Sequence, residues 1–162
     1  GEENRGFYVA MTTLSFERIP IEVPARLQRY LERFIQAVKD KEIPAVEGNS
    51  SAKNIMADLR VQIEVARMMM YRGAWLQSQG AVPESEASMT KLMCDETGIK
   101  VYKTLARLAG ENSLYMPRSS DKAALNGLLG VNSWLSTAFS LGGGSLEVQR
   151  QIIAQRGLTL PR

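Results

Sequence analysis

The sequence has 162 residues, of which 44% are apolar and 23% charged, a balance typical of one globular domain with its own core. It contains no histidine and one cysteine, which excludes histidine-based catalytic triads, histidine-ligated zinc or haem, and an internal disulfide. The net charge of +3 comes from 20 basic and 17 acidic residues interspersed along the chain, which disfavours a nucleic-acid partner, and no apolar run approaches the ~18 residues of a membrane-spanning helix.

Two segments with helical periodicity are predicted at the start of the chain. A short amphipathic segment is expected over residues 7–14. Pro20 and Pro24 then interrupt the pattern, because proline kinks or restarts a helix. The first long helix follows over residues 25–41. Its apolar residues recur every three or four positions and form one stripe: Leu27, Leu31, Phe34 and Val38.

Three further long helices are predicted between breaks at glycine and proline. They cover residues 52–79, 84–109 and 122–139, and Ser50 or Ser51 is expected to cap the first of them. The apolar positions of each helix again recur at three- and four-residue spacing, as a buried stripe requires.

The helix predicted over residues 122–139 has a weaker helical pattern than the others, because it contains two glycines. Its inward positions are expected to be Leu128, Val131 and Leu135. Gly127 and Gly130 lie among them and weaken the helix, because glycine loses more backbone freedom than other residues.

A triple glycine at 142–144 breaks the chain before a last helix over residues 145–155. No strand-like alternation is sustained anywhere. Long helices with short connections pack as antiparallel neighbours. The sequence therefore predicts an all-α fold, an up-and-down bundle of four long helices plus a short C-terminal helix.

Two places could carry chemistry on the residues alone. Ser145 begins a helix after the triple glycine, and backbone amides at a helix start can bind an anion; a flexible connection is the alternative. Glu17 lies between Phe16 and Pro20, and an acid in an apolar setting can serve as a base; an ordinary surface glutamate is the alternative.

The single cysteine and the absence of histidine limit the remaining chemistry. Cys94 lies in a helical pattern beside Leu92 and Met93, which favours a small buried residue over a nucleophile. No metal site is predicted. A lone cysteine without a signal peptide favours a cytoplasmic location.

The end of the chain carries a resemblance to a known family. Residues 143–154 read Gly-Gly-Ser-Leu-Glu-Val-Gln-Arg-Gln-Ile-Ile-Ala, which resembles the closing signature of acyl-CoA dehydrogenases, commonly Gly-Thr-Ser-Glu-Ile-Gln-Arg followed by an apolar stretch and alanine. Residues 1–11 are similar to the segment that enters the C-terminal domain of that family, and residues 63–67 resemble the middle of its second long helix. On this likeness, residues 1–162 are identified as the C-terminal helical domain of a longer bacterial enzyme.

The resemblance implies a fold, an activity and partners. Family members have a helical bundle at this end and oxidise an acyl-CoA thioester to the trans-2-enoyl-CoA; a carboxylate removes the α-proton and a β-hydride passes to the flavin of FAD. The flavin lies largely against a β-domain, so this chain alone is not expected to hold FAD. Homo- or hetero-oligomers form through the bundle, and electron-transfer flavoprotein is the expected electron acceptor.

The resemblance also implies a base. Many family members place it immediately before the glycine of the closing signature, and that position here is Gly143, which cannot take a proton. A subset of isovaleryl- and long-chain type places it on the first helix, in a segment like Leu-x-x-Glu-Arg. Leu14, Glu17 and Arg18 match that segment, so Glu17 is the predicted base and Arg18 its supporting cation.

Cofactor contacts are less complete than in the family pattern. Gly144, Ser145 and Glu147 are the predicted cofactor-side residues. The Arg-x-x-Phe-Gly motif expected near residues 39–43 reads Lys-Asp-Lys-Glu-Ile, and the Gln-x-x-Gly-Gly motif expected near 107–110 keeps one glycine. The alternative to a catalytic domain is therefore a silent, interface-forming subunit of a hetero-oligomeric dehydrogenase. The acyl group stays open between fatty, branched and steroid side-chain types.

Overall fold

The computed structural model describes residues 1–161. All of their regular structure is helical and no strand occurs among them, which confirms the all-α prediction. Six α-helices run in chain order: α1 Gly6–Glu17, α2 Glu22–Lys39, α3 Ser50–Ser78, α4 Glu84–Ala109, α5 Leu128–Leu135 and α6 Leu146–Ile152. Within residues 1–161, none of these helices combines the length and apolarity needed to cross a bilayer.

Helix α4 is the centre of the domain and contacts each of the other five helices. The core is made by the stripes that the sequence predicts, because side chains three and four positions apart share one helix face. Most of its largest fully buried members come from three helices: Leu27, Leu31 and Phe34 of α2, Leu59 and Ile63 of α3, and Val101 and Leu105 of α4. Val38, predicted in the same stripe of α2, is half-buried at the edge of this core.

The start of α3 differs in detail from the prediction. Asn49, rather than Ser50 or Ser51, caps the helix, and its side-chain oxygen accepts a hydrogen bond from the backbone N–H of Ala52 at 3.1 Å. The helix begins at Ser50, so both serines already lie inside it and lack the extended backbone that a cap requires.

Helix α1 is longer than predicted and is not amphipathic. It covers Gly6–Glu17, and Ser15 is its one buried residue. Phe7 is 71% exposed and Tyr8 60% exposed. The apolar residues of this helix lie all round it rather than on one face, so the domain covers only a small part of them.

The helix predicted over residues 122–139 is shorter than expected, and its α-helical part is Leu128–Leu135. A 3₁₀ turn, Ala124–Gly127, precedes the eight-residue α5, and a second 3₁₀ turn, Ser136–Ser140, follows it. The first turn places Leu125 and Asn126 at φ of 49° and 56°, in the left-handed region that ends a right-handed helix.

The inward face of α5 is also shifted by one position. Leu129 is fully buried, whereas Leu135, predicted to point inward, is 60% exposed. The left-handed turn resets the rotation of the helix that follows, so the residue pattern read from Lys122 onward does not carry through it. The last helix is shorter than predicted as well: α6 ends at Ile152 and a π-helical turn, Ile153–Gly157, continues it.

Candidate functional site

A cavity of about 200 Å³ lies where the end of α1, the middle of α4 and the triple glycine meet. Its polar lining comes from two places: Glu17 and Arg18 at the end of α1, and Lys91 and Asp95 on α4. Gly142 and Gly143 complete it from the far end of the chain, with Leu14 and Pro20 as apolar lining. Two predicted positions of a base, Glu17 and Gly143, thus face one space.

Glu17 is the last residue of α1, and its side chain is exposed at the rim of the cavity. The apolar setting that the sequence suggests for it is absent within residues 1–161, because its neighbour Phe16 is itself 43% exposed. A carboxylate in this position can accept a proton from a ligand bound in the cavity.

Arg18 holds the glycine loop in place. It is buried, and its Nε donates a hydrogen bond to the carbonyl oxygen of Gly143 at 3.4 Å. Burial lowers the pKa of Arg18, and the nearby Arg156 cation adds to this, but a guanidinium remains protonated at neutral pH. The predicted supporting cation is therefore a positive charge at the inner wall of the cavity.

Gln149 also holds the glycine loop, and nothing in its sequence surroundings indicates this role. It is fully buried, and its Nε2 donates to the carbonyl oxygens of Gly143 at 3.4 Å and Gly144 at 3.3 Å. A Cβ on Gly144, which has φ of +100°, would lie 2.9 Å from the same nitrogen. Close approach to Gln149 therefore explains the glycine at 144.

Lys91 and Asp95 form an ion pair one helical turn apart on α4. Both are buried, at 5% and 8% exposure. Burial raises the pKa of the Asp95 carboxyl, and the Lys91 ammonium opposes that effect. The pair was missed because an acid four residues after a base on a helix has the spacing of an ordinary surface ion pair.

The pair also explains why position 143 suits glycine. Gly143 has φ of +68°, a backbone conformation that residues with a side chain rarely adopt. A Cβ built there would lie 3.2 Å from Lys91 Cε. A side chain at 143 would be strained and would have to displace the lysine stem.

The predicted cofactor-side residues each have a structural explanation within the domain. The Ser145 hydroxyl caps α6 by accepting a hydrogen bond from the Val148 N–H at 3.4 Å. Glu147 is exposed in the first turn of α6, and hydrogen bonds from its own backbone N–H and from Ser145 lower its pKa. Close approach to Gln149 accounts for Gly144, so each of these three positions has a role in the fold of the domain itself.

Cys94 is buried, as predicted, and burial raises its pKa to about 12, so its thiol stays protonated and unreactive at neutral pH. No group of three or more side chains suited to a metal ion occurs among residues 1–161.

Comparison with known proteins matches residues 4–158 to the family described as "Acyl-CoA dehydrogenase, C-terminal domain". Acyl-CoA dehydrogenase FadE26 of Mycobacterium tuberculosis is 27% identical over an alignment of 168 positions, which covers 100% of this chain and 42% of that protein. An L-prolyl-[peptidyl-carrier protein] dehydrogenase of Serratia is 26% identical over 80% of this chain and 32% of its own length. The chain thus spans well under half the length of these curated relatives.

Solved structures give the same pattern. The Tcur3481–Tcur3483 steroid ACAD matches with a TM-score of 0.88 and 27% identity, over 100% of this chain and 41% of that chain. The ChsE4–ChsE5 complex of Mycobacterium tuberculosis matches with a TM-score of 0.79 and 25% identity, over 100% and 42%.

Proposed function

This chain belongs to the acyl-CoA dehydrogenase C-terminal domain family, and we propose that it supplies the proton-abstracting base of a flavin-dependent acyl-CoA dehydrogenase. Glu17 is the proposed base. Arg18 is a positioning residue that holds the glycine loop opposite it. The substrate is an acyl-CoA thioester, which is converted to its trans-2-enoyl form.

The single observation that carries this proposal is the meeting of Glu17 and Gly143 at one cavity. The two positions are far apart in sequence, and each is a place where the family carries its base. Here one holds a carboxylate, and the other is a glycine with a left-handed backbone and Lys91 beside it. A carboxylate at the first position therefore substitutes for the one missing at the second.

In this proposal Glu17 carries out a single step, the removal of the α-proton. The thioester carbonyl acidifies the α-proton, so a carboxylate that is within hydrogen-bond reach can remove it. The α-carbon–hydrogen bond breaks, the proton goes to a Glu17 carboxylate oxygen, and the electron pair delocalises into the thioester carbonyl. Arg18 and Gln149 fix the glycine loop on the opposite side, which limits how the acyl group can lie.

The flavin that supplies the hydride acceptor in this family is not expected to be held by these residues. Gly144 packs against Gln149, Ser145 caps α6, and Glu147 lies in the first turn of that helix. We therefore expect the purified chain to lose added FAD on gel filtration, as measured by absorbance at 450 nm. A yellow chain that keeps one flavin per molecule would contradict this.

Proton abstraction can be tested apart from hydride transfer. We expect the intact enzyme that contains this chain to exchange the α-protons of 3-thiahexanoyl-CoA with deuterium in D₂O, because sulfur at the β-position has no hydride to lose. Mass spectrometry of the recovered thioester measures the exchange. Exchange no faster than in buffer alone would contradict a base in this enzyme.

The second candidate is a silent subunit whose bundle forms an interface. It is favoured by a stripe of exposed apolar side chains along α3: Val61, Val65, Met68 and Trp75, of which Met68 is 62% exposed and Trp75 60%. Large exposed apolar patches mark association surfaces. We propose that this face of α3 joins the chain to another copy or to a partner subunit.

Flavin absorbance separates the two candidates. A catalytic subunit binds flavin and is reduced by acyl-CoA when it is purified with its own complete sequence. A silent subunit does so only after a partner subunit is added. Electron-transfer flavoprotein, the acceptor that the resemblance implies, should reoxidise whichever assembly is reduced.

A further inference from the structure

The ion pair in the cavity has hydrogen-bonding capacity that the domain does not use. In the hydrogen bonds of residues 1–161, Lys91 Nζ donates only to Asp95 Oδ2, which leaves two of the three ammonium hydrogens without an acceptor. Asp95 Oδ1 accepts no hydrogen bond there. It is not among the fully buried side-chain atoms that lack a partner, which belong to Glu64, Arg67 and Gln149. Asp95 Oδ1 is therefore accessible, and Asp95 is a lining residue of the cavity.

A purely structural role does not account for such a pair. Taking two charges out of water costs several kcal/mol per ion, and apolar residues of equal volume often serve stability as well or better. Lys91 is followed in sequence by three apolar residues, Leu92, Met93 and Cys94. The charged side chains nevertheless point into the space that Glu17 faces rather than into bulk water.

The two unused ammonium hydrogens of Lys91 and the unused oxygen of Asp95 suit a ligand atom that both accepts and donates a hydrogen bond. Two N–H donors beside one carboxylate acceptor suit a hydroxyl, which accepts one hydrogen bond and donates another. An alkyl chain in the same place would leave the two remaining ammonium hydrogens and Asp95 Oδ1 without partners, which a buried site disfavours. At about 200 Å³ the cavity is smaller than a typical ligand pocket, so the matching group lies within a few carbons of the reacting centre.

We propose that Lys91 and Asp95 are specificity-determining residues that bind a hydroxyl group on the acyl chain of the substrate, a short distance beyond its β-carbon. The hydroxyl donates to Asp95 Oδ1 and accepts from Lys91 Nζ. The inference rests on the proposed function, since it takes the cavity beside Glu17 as the acyl site. It names the substrate class as hydroxyacyl-CoA thioesters.

The test measures binding without turnover. Three ligands are compared by isothermal titration calorimetry with the intact, flavin-loaded enzyme: 3-thiahexanoyl-CoA and its 5-hydroxy and 6-hydroxy derivatives, none of which can lose a β-hydride. At least one hydroxy ligand is expected to bind ten times more tightly than the parent, since a hydrogen bond to a charged group contributes about tenfold or more.

Two double variants give the test its specificity. Lys91→Met with Asp95→Leu replaces the pair with apolar side chains of similar size, and it should reverse the order so that the parent ligand binds best. Lys41→Met with Glu47→Leu removes an exposed ion pair at 3.9 Å and should leave the order unchanged. Circular dichroism of each variant checks its fold.

Each outcome bears on the proposal. Equal or weaker binding of both hydroxy ligands by the unmodified enzyme overturns it, whether or not the variants fold. A hydroxyl preference that survives in the Lys91→Met, Asp95→Leu variant also overturns it. An enzyme that shows the preference but keeps its activity after Glu17→Gln refutes the proposed base and leaves the hydroxyl site standing.

Discussion

Replacing Glu17 with glutamine is expected to lower dehydrogenation by about 10³-fold, in the range that a positioned general base contributes. Glutamine keeps the size of the side chain and its hydrogen-bonding oxygen but cannot accept the α-proton. The side chain lies at the rim of the cavity and packs against little, so folding and acyl-CoA binding should be nearly unchanged. The measurement is the rate of flavin reduction by acyl-CoA under anaerobic conditions.

The matched control for this variant is Glu47→Gln, which neutralises an exposed glutamate in a weak surface ion pair away from the cavity. It should keep full activity. The α-proton exchange of 3-thiahexanoyl-CoA should fall together with dehydrogenation in Glu17→Gln, because both need the same proton transfer. If the Glu17 variant keeps most of its activity, the base lies elsewhere, and the silent-subunit alternative becomes the better account of this chain.

The helices that could be predicted from the sequence are those whose apolar residues recur at helical spacing and pack into the core. Leu27, Leu31 and Phe34 recur at helical spacing on α2 and are buried as a set, and the same holds for α3 and α4. The break before α5 could not be predicted this way. It is made by a left-handed turn at Leu125 and Asn126, which apolar periodicity does not register, although the Asn126-Gly127 pair is one that favours turns.

In the candidate site as well, some residues could be predicted from the sequence and others could not. Glu17 and Gly143 could be paired because each stands in a recognisable local segment, and both line the cavity. Asp95 and Gln149 could not be recognised. Whether a polar side chain on a helix faces water or a cavity depends on what packs over it, and neighbouring residues in the sequence do not record that.

Gly127→Ala is expected to destabilise the domain by about 3 kcal/mol, as the sum of backbone strain and overpacking. Gly127 has φ of +80°, and a Cβ there would lie 2.4 Å from the Pro117 nitrogen and 2.6 Å from the Met116 carbonyl carbon. These are backbone atoms, which cannot rotate aside as a side chain can. The measurement is urea unfolding followed by circular dichroism at 222 nm.

The control for this variant is Gly6→Ala, at the first residue of α1, where an added Cβ meets nothing within 4 Å. It should be neutral or stabilise the helix by up to about 1 kcal/mol. After α5 the chain places Phe139 beside Tyr102, with ring centroids 6.2 Å apart, and continues toward Gly142. A loss below about 1 kcal/mol in Gly127→Ala would contradict the prediction, because it would mean that the backbone at Met116 and Pro117 moves aside at little cost.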